Sequence, residues 1–255
     1  VGRGRRARRH WGRRLRPGAV SIPLAPARGA RPAMRRAARF AAHAWLAAVC
    51  VAAALQAVQS YVRQDGYQRV YAWGDNRFGE LGIGSYESQA SRPLASPNEP
   101  ALVESLSWKK LTNDKVANIF AGHDHSAAVT RGGRLYTWGR NDDGQLGLGV
   151  YGGNFMSPTL VTVLAEFDVV DACCGLMHTL AVSSKGRTYA SGSNQYGQLG
   201  RDYLPDQFPR VAEFEEVDVN GEFVTAVACG TAHSVALTQT GAVYTWGANQ
   251  EGQLG

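Results

Sequence analysis

The chain has 255 residues, and its net charge of +6 hides a strong asymmetry between its two ends. Residues 1–64 carry 14 Arg, no Lys and no acidic side chain, which leaves 13 basic and 21 acidic side chains, and a net charge of −8, in the other 191 residues. The chain as a whole has 44% hydrophobic residues and only 10 Pro. The acidic part can therefore bury a core, which excludes a wholly disordered or fibrous protein.

The N-terminal segment begins with residues 1–33, which consist mostly of Arg, Gly, Ala and Pro. We expect this part to be disordered, because it cannot bury enough apolar surface to offset the loss of chain entropy. Since the chain begins with Val, a translation start at Met34 is one interpretation. For the N-terminal segment as a whole, an Arg-rich tail that binds nucleic-acid phosphate without sequence information is the alternative to a targeting role.

The next part of this segment has the outline of a targeting sequence. A basic run after Met34 precedes residues 44–58, which carry no charge and are rich in Ala, Leu and Val. The Arg-rich, acid-free composition favours a mitochondrial presequence, and a secretory signal peptide or a membrane anchor at residues 40–62 are the alternatives. We therefore assign residues 1–66 to an Arg/Ala-rich disordered and targeting or membrane-anchor segment, and residues 67–255 to a folded domain.

A ten-residue segment occurs four times in the acidic part. Its copies begin at Trp73, Trp138, Ser191 and Trp246, at intervals of 65, 53 and 55 residues. The similarity extends upstream, so that residues 122–147, 175–200 and 230–255 align over 26 positions, 11 of them identical in all three copies. Such a period indicates a repeat architecture.

Each repeat contains three short apolar stretches separated by turn residues, which predicts three strands. A Gly between the second and third stretch predicts a hairpin turn. Short strands that cannot bury both faces of their own sheet must stack on neighbouring repeats, which predicts an all-β propeller. The predicted strands are 116–121, 126–130 and 134–138; 169–174, 179–183 and 187–191; and 224–229, 234–238 and 242–246.

The repeated run Tyr-Thr-Trp-Gly-x-Asn-x-x-Gly-Gln-Leu-Gly, preceded by Cys-Gly-x-x-His-Ser/Thr, resembles the regulator of chromosome condensation repeat. The resemblance extends from about Gln68 to Gly255. It implies a β-propeller, usually with seven blades of four strands each. Because this chain has four copies of the Trp-Gly motif and three of the His motif, we expect an incomplete ring that represents a fragment of such a propeller.

Several repeated residues invite a functional interpretation, but a structural role is favoured for each. Equivalent His residues in different blades are held apart, whereas metal ligands must converge on one ion, so we expect hydrogen bonds to a neighbouring strand or blade and no metal site. Repeated Trp residues are expected to pack between blades, and the Gly residues to permit tight turns. No cofactor is expected. These structural residues are Trp73, Trp138, Trp246, His125, His178, His233, Gly139, Gly192 and Gly247.

The cysteines do not have the even spacing of a disulfide-rich secreted domain, since two of the four, Cys173 and Cys174, are adjacent. Cys174 and Cys229 share an aligned position with Ala121, which predicts a small buried side chain there. Strand alternation turns Cys173 to the opposite face.

Segments that do not repeat are the better candidates for partner binding, and we expect them as loops on one face of the ring. The alternative is that they are variable connections without a binding role. They lie within residues 85–115, 150–158 and 201–210. Their candidate partner-binding residues are Trp108, Lys109, Lys110, Tyr151, Phe155, Asp202, Tyr203 and Phe208.

Enzymatic chemistry is not expected, since no segment combines a nucleophile with a base, paired carboxylates or a metal signature. The resemblance implies a non-catalytic interaction propeller, with guanine-nucleotide exchange on a small GTPase as the leading hypothesis. An organelle- or membrane-linked assembly scaffold is the alternative. Chromatin binding is disfavoured by the charge of −8. Some plant relatives sense ultraviolet light through Trp in Gly-Trp-Arg-His-Thr, but here His123, Leu176 and Thr231 occupy that position.

Overall fold

Four antiparallel sheets follow one another along the chain in a computed structural model, which describes residues 59–62, 68–84, 100–107, 110–111, 114–201 and 209–255. We call the sheets blades 1 to 4. Blade 1 contains β1 Gln59–Val62, β2 Gln68–Ala72 and β3 Ala101–Leu102; blade 2 contains β4 Val116–Ala121, β5 His125–Thr130, β6 Leu135–Arg140 and β7 Asn154–Leu160; blade 3 contains β8 Val169–Cys174, β9 His178–Ser183, β10 Thr188–Ser193 and β11 Arg210–Val217; blade 4 contains β12 Val224–Cys229, β13 His233–Thr238 and β14 Val243–Gly247. Short 3-10 helices span Glu104–Leu106 and Thr162–Leu164.

The first three strands of blades 2 to 4 lie where the repeat pattern predicts them, and the all-β prediction is confirmed. The fourth strand was missed. Asn154–Leu160 and Arg210–Val217 were expected in or beside loops, whereas they form β7 and β11 at the outer edges of blades 2 and 3. Gln59–Val62, which we placed in the N-terminal segment, pairs as β1 with β2. The rest of that segment, residues 1–58 and 63–66, lies outside the described residues.

The cores lie between the blades. Val70 and Trp138 are buried in the same cluster between blades 1 and 2. Val129 and Tyr189 are buried between blades 2 and 3, and Leu180 and Ala236 between blades 3 and 4. Full burial of one large aliphatic side chain contributes roughly 1.5–3 kcal/mol, so stacking supplies most of the stability of each thin sheet. Among the described residues, no helix has the length and apolar character needed to cross a membrane.

A backbone approach explains the Gly that follows each repeated Trp or Ser. Gly139, Gly192 and Gly247 have φ of 104°, 106° and 107°. A Cβ on Gly139 would lie 2.6 Å from the carbonyl oxygen of Asp124, and one on Gly247 would lie 2.6 Å from that of Ala232. These positions therefore require Gly both for the positive φ and for the close strand next to it.

One backbone carbonyl in each of the motif turns 74–82, 139–147 and 192–200 accepts hydrogen bonds from the next blade. The carbonyl of Glu80 accepts from the Trp138 indole at 2.8 Å and from the Ser126 hydroxyl at 2.9 Å. The carbonyl of Gln198 accepts in the same way from Trp246 at 2.9 Å and from Ser234 at 2.7 Å. The repeated Trp thus links blades through its N–H group as well as through packing.

The repeated His extends this link. His125 Nε2 lies 2.8 Å from Thr179 Oγ1, and Thr179 donates its proton to the carbonyl of Gln145 at 2.6 Å. His125 must therefore be the donor, so Nε2 carries its proton. His178 Nε2 lies 3.1 Å from Ser234 Oγ in the equivalent arrangement. We call this chain of His, hydroxyl and carbonyl the blade relay.

Blade 3 has Ser191 in place of the repeated Trp, and Phe214 of β11 replaces the missing ring. At Gly82 and Gly200 an added Cβ would meet the indoles of Trp138 and Trp246, whereas at the equivalent Gly147 it would meet the ring of Phe214. Ser191 still reaches the carbonyl of Gln145, at 3.4 Å. The fourth strand therefore supplies the bulk that the repeat lacks here.

Cys173 of β8 and Cys229 of β12 form a disulfide between blades 3 and 4, and Cys174 is free and buried. The expectation that Cys229 only fills a small buried position was wrong. Cys173 packs in the core between blades 3 and 4, where Cys229 also lies, because strand alternation turns it away from Cys174.

The exchange between Ser191 and Phe214 gives a stability prediction. Ser191→Trp forces an indole into the space of Phe214, and we expect it to lower the free energy of unfolding by about 1–3 kcal/mol. Phe214→Ala alone should cost about 3–5 kcal/mol. The double variant should lose roughly 0.5–3 kcal/mol less free energy of unfolding than the sum of the losses of the two single variants, measured by urea denaturation. Strict additivity would contradict this account, and exposed Tyr196→Trp is the control.

The blade relay gives a pH prediction. Burial lowers the pKa of His125 to about 4 and that of His178 to about 3. Both lie below the ordinary value of 6.5, so their contribution to stability is complete above pH 6.5 and is lost as the pH falls toward those values. Each His should remove about 1.4 kcal/mol per pH unit between pH 6 and 5, measured by urea denaturation. His178→Gln should remove about half of the slope that the two residues cause, and an unchanged slope would refute the assignment.

Candidate functional site

The candidate site lies where blade 2 departs from the repeat. His125 pairs with Gly139 at one end of the sheet, so the residues before His125 and after Gly139 lie at the same end, together with the motif turns 74–82, 139–147, 192–200 and 247–255. We call this end the motif face. Blade 2 has His123, Asp124 and Arg140 there, whereas blade 3 has Leu176, Met177 and Ser193 and blade 4 has Thr231, Ala232 and Ala248.

These departures form a connected chain of charged groups. His123 Nδ1 lies 2.7 Å from Asp124 Oδ1, and Arg140 donates from Nη1 to Asp124 Oδ2 at 3.1 Å. Arg140 also donates from Nε to Asp142 Oδ2 at 2.6 Å. Asp124 is buried, while the side chain of His123 is 44% exposed. The hydrogen bond to Asp142, followed by that to Asp124, raises the pKa of Arg140, which therefore stays charged.

Phe78 of blade 1 extends the chain across the first boundary. The guanidinium of Arg140 lies 4.8 Å from the centre of the Phe78 ring, and that of Arg77 lies 5.8 Å from it. Arg77 is held by Asp75 through a hydrogen bond of 2.6 Å from Nε. Contacts of this kind contribute about 0.5–1 kcal/mol at exposed sites, and here they fix the orientation of two arginines.

Tyr151 and Arg210 extend the chain toward blade 3. The guanidinium of Arg210 lies 4.6 Å from the centre of the Tyr151 ring, and the Tyr151 hydroxyl donates to the Arg210 carbonyl at 3.1 Å. Arg210 Nη1 donates to the carbonyl of Asp142 at 3.2 Å. Asp142 thus connects both arginines, through its side chain to Arg140 and through its backbone to Arg210. We call the set Arg77, Phe78, His123, Asp124, Arg140, Asp142, Tyr151 and Arg210 the arginine network.

The chemistry of the network suits binding. Tyr and Arg are the residues that most often dominate the energy of protein interfaces. Tyr151 is 48% exposed, and the stacked arginines are already held in place, so little side-chain freedom remains to be lost on binding. Within the described residues, no group of three or more His, Cys, Asp and Glu side chains could hold a metal ion.

Three of the candidate partner-binding residues lie within the described residues, and Lys110 is at the opposite end of the sheets from the other two. Tyr151 belongs to the arginine network. Phe155 lies in β7, half-buried and paired with Gly139, so its expected place in a loop was wrong. Lys110 is exposed beside Leu111, whose carbonyl accepts from Arg134 at the opposite end of the sheets. Outside the described residues lie Trp108, Lys109, Asp202, Tyr203 and Phe208.

Most of the network escaped the sequence analysis. His123 and Asp124 are unmatched in the other repeats, whereas Phe78, Arg140 and Asp142 lie inside the motif turns, which the sequence analysis interpreted only as turns. The usable signal was the departure from the repeat at aligned positions, since Arg140 aligns with Ser193 and Ala248.

Solved structures show the same fold. Prp20p from Saccharomyces cerevisiae superposes with a TM-score of 0.60 at 24% identity over 77% of this chain and 46% of that chain. Human WBSCR16 gives a TM-score of 0.59 at 24% identity over 71% of this chain and 44% of that chain.

Sequence comparison finds longer relatives. The Ultraviolet-B receptor UVR8 of Arabidopsis thaliana is 34% identical over 186 residues, which cover 73% of this chain and 38% of the receptor. The probable E3 ubiquitin-protein ligase HERC6 of Homo sapiens is 35% identical over 190 residues, which cover 73% of this chain and 17% of the ligase. The chain thus spans well under half the length of these relatives.

Family models agree with the repeats read from the sequence. The regulator of chromosome condensation (RCC1) repeat matches residues 68–129, 132–182 and 185–237, and a second model of the same description matches 116–145 and 224–253. These matches cover more than half of the chain, and the blade relay and the first three motif turns lie within them. The chain belongs to the regulator of chromosome condensation (RCC1) repeat family.

Proposed function

We propose that this chain is a non-catalytic interaction propeller that binds a small GTPase through the arginine network and accelerates release of its nucleotide. The observation that carries the proposal is the network itself, a partly exposed set of arginine and aromatic groups that spans blades 1 to 3 and is held by hydrogen bonds and cation–π contacts. At three of its positions, His123, Asp124 and Arg140, blades 3 and 4 have uncharged residues, so the fold does not require these charged groups.

Exchange of this kind needs no reacting group. A protein that binds the nucleotide-free GTPase more tightly than the loaded one must, by linkage, weaken the affinity for nucleotide by the same factor. Preorganised arginines serve this purpose because they lose little freedom on contact. The network therefore needs only to recognise one state of the partner better than the other.

The comparisons support protein binding as the class of function. Prp20p is described as binding Gsp1p and histones, and yeast RCC1 (Prp20) as bound to Kap60. Ligase activity is not carried over from HERC6, because the chain spans 17% of it. Ultraviolet sensing is not carried over from UVR8, since His123, Leu176 and Thr231 stand where the light-sensing relatives have Trp.

A second candidate is an assembly scaffold without exchange activity, linked to an organelle or membrane. It is favoured by residues 1–64, whose 14 Arg and absence of acids fit a mitochondrial targeting segment. The same segment supports a mitochondrial location for the exchange factor. Chromatin binding has weaker support, because the remaining 191 residues carry a net charge of −8 and repel phosphate on average.

An exchange assay tests the leading proposal. The full chain is added to a panel of small GTPases loaded with fluorescent nucleotide, and the rate of release is measured. We expect accelerated release for at least one GTPase, and a loss of about tenfold in that rate with Tyr151→Ala or Arg210→Ala, because exposed Tyr and Arg anchors typically contribute this much to binding. If no GTPase responds, the exchange proposal is wrong.

Arg187→Ala is the matched control for the two network variants. Arg187 is exposed, pairs with Glu216 at 3.4 Å and lies at the opposite end of blade 3. Its replacement should leave the release rate unchanged. If Arg187→Ala slows release as much as Arg210→Ala does, the motif face is not the binding surface.

A further inference from the structure

A disulfide links blades 3 and 4. At the boundary of blades 2 and 3, the aligned positions pack in the same apolar cluster without a covalent bond. In the aligned repeats, Phe120 of β4 corresponds to Cys173 of β8, and Cys174 of β8 corresponds to Cys229 of β12. Phe120 packs against the cluster that contains Cys174. An apolar contact therefore joins blades 2 and 3 at the aligned positions where the Cys173–Cys229 bond joins blades 3 and 4.

The boundary of blades 3 and 4 also has a full set of non-covalent contacts. His178, Ser234 and the Gln198 carbonyl complete a blade relay. Trp246 donates to the same carbonyl, and Val227 donates its N–H to Asp171 Oδ2 at 3.1 Å. Blade 4 can therefore stay docked when the disulfide is open, so the bond tightens a boundary that is already formed.

The three cysteines near this boundary differ in their access to solvent. Cys173 and Cys174 are buried, whereas Cys229 is half-buried. Because Cys229 is the more exposed of the two bonded residues, its sulfur is the expected point of attack by a thiol. Burial raises the pKa of the Cys174 thiol to about 12, so Cys174 stays protonated and does not compete as a nucleophile.

We propose that Cys173 and Cys229 form a thiol–disulfide exchange site for a small-molecule thiol such as glutathione, whose state sets how firmly blade 4 docks on blade 3. A glutathione thiolate attacks Cys229 Sγ and forms a mixed disulfide, while Cys173 leaves as a thiolate and takes up a proton. A second glutathione thiolate then attacks the glutathione sulfur of the mixed disulfide. It releases Cys229, which also takes up a proton, and oxidised glutathione. Two electrons pass from the two glutathione thiols to the protein disulfide.

This proposal is tested by incubating the full chain in a series of glutathione buffers, in which the ratio of reduced to oxidised glutathione is raised stepwise. Free thiols are trapped by alkylation and located by peptide mass spectrometry. We expect a cross-linked Cys173–Cys229 peptide in oxidised buffer that converts to alkylated Cys173 and Cys229 in reduced buffer. The Tm should fall by about 5–10 °C on reduction. Amide protection should fall about tenfold or more in β12 and β13 and stay unchanged in β5.

Two variants separate this site from general effects of the buffer. Cys229→Ser should have the reduced Tm in both buffers. Cys174→Ala, which introduces the residue found at the aligned position 121, should keep the full response. The proposal is overturned if the cross-linked peptide is absent in oxidised buffer, if it persists in fully reduced glutathione, or if Cys174→Ala abolishes the response. These measurements use no GTPase, so their outcome is independent of the exchange assay.

Discussion

The structure depends on one backbone carbonyl in each of the first three motif turns, which accepts hydrogen bonds from the following blade. Glu80, Gln145 and Gln198 supply these carbonyls. Each turn is held in shape by an Asn, as where Asn141 Oδ1 accepts the N–H of Leu146 at 3.1 Å. A buried carbonyl without its donors would cost about 1–3 kcal/mol. The Trp and hydroxyl positions of the next repeat are therefore tied to it, as is the His of the same repeat, which donates to that hydroxyl. This constraint explains why the motif recurs with so little variation.

The strands that take part in this constraint were predictable, and the outer strands were not. The second and third strands carry the His and Trp positions and therefore repeat. β7 and β11 pair at the outer edges of blades 2 and 3, so their sequences are free to differ. One contains Pro158, and the other buries every third residue, Val211, Phe214 and Val217. Without a repeated pattern they were assigned to or beside connections. These strands nevertheless contribute to the core, because Phe214 of β11 supplies the aromatic ring that the repeat lacks at Ser191.

The disulfide and the arginine network were missed because both depend on which groups face each other across a blade boundary. Alternation correctly turned Cys173 and Cys174 to opposite faces, and alignment correctly placed Cys229 with Cys174. The sequence does not show which face of blade 3 packs against blade 4. In the structure, the face that carries Cys173 packs against the face of blade 4 that carries Cys229. Likewise, Phe78 and Arg140 are far apart in sequence, and only the stacking of blades 1 and 2 brings the ring under the guanidinium.

The backbone of β5 and β6, which positions His125 for the blade relay, also positions two residues of the arginine network. Asp124 precedes His125, Arg140 follows Gly139, and the Arg140 N–H bonds the Asp124 carbonyl at 2.9 Å. The two groups that hold the exposed end of the network are thereby fixed by the strand pair that the relay already requires. Substitution at these two positions can thus create a binding surface without altering the carbonyl, hydroxyl and imidazole that hold the blades together. The Cys173–Cys229 bond lies beyond the network, at the next boundary along the chain, so loosening blade 4 leaves blades 1 and 2 and their arginines in place.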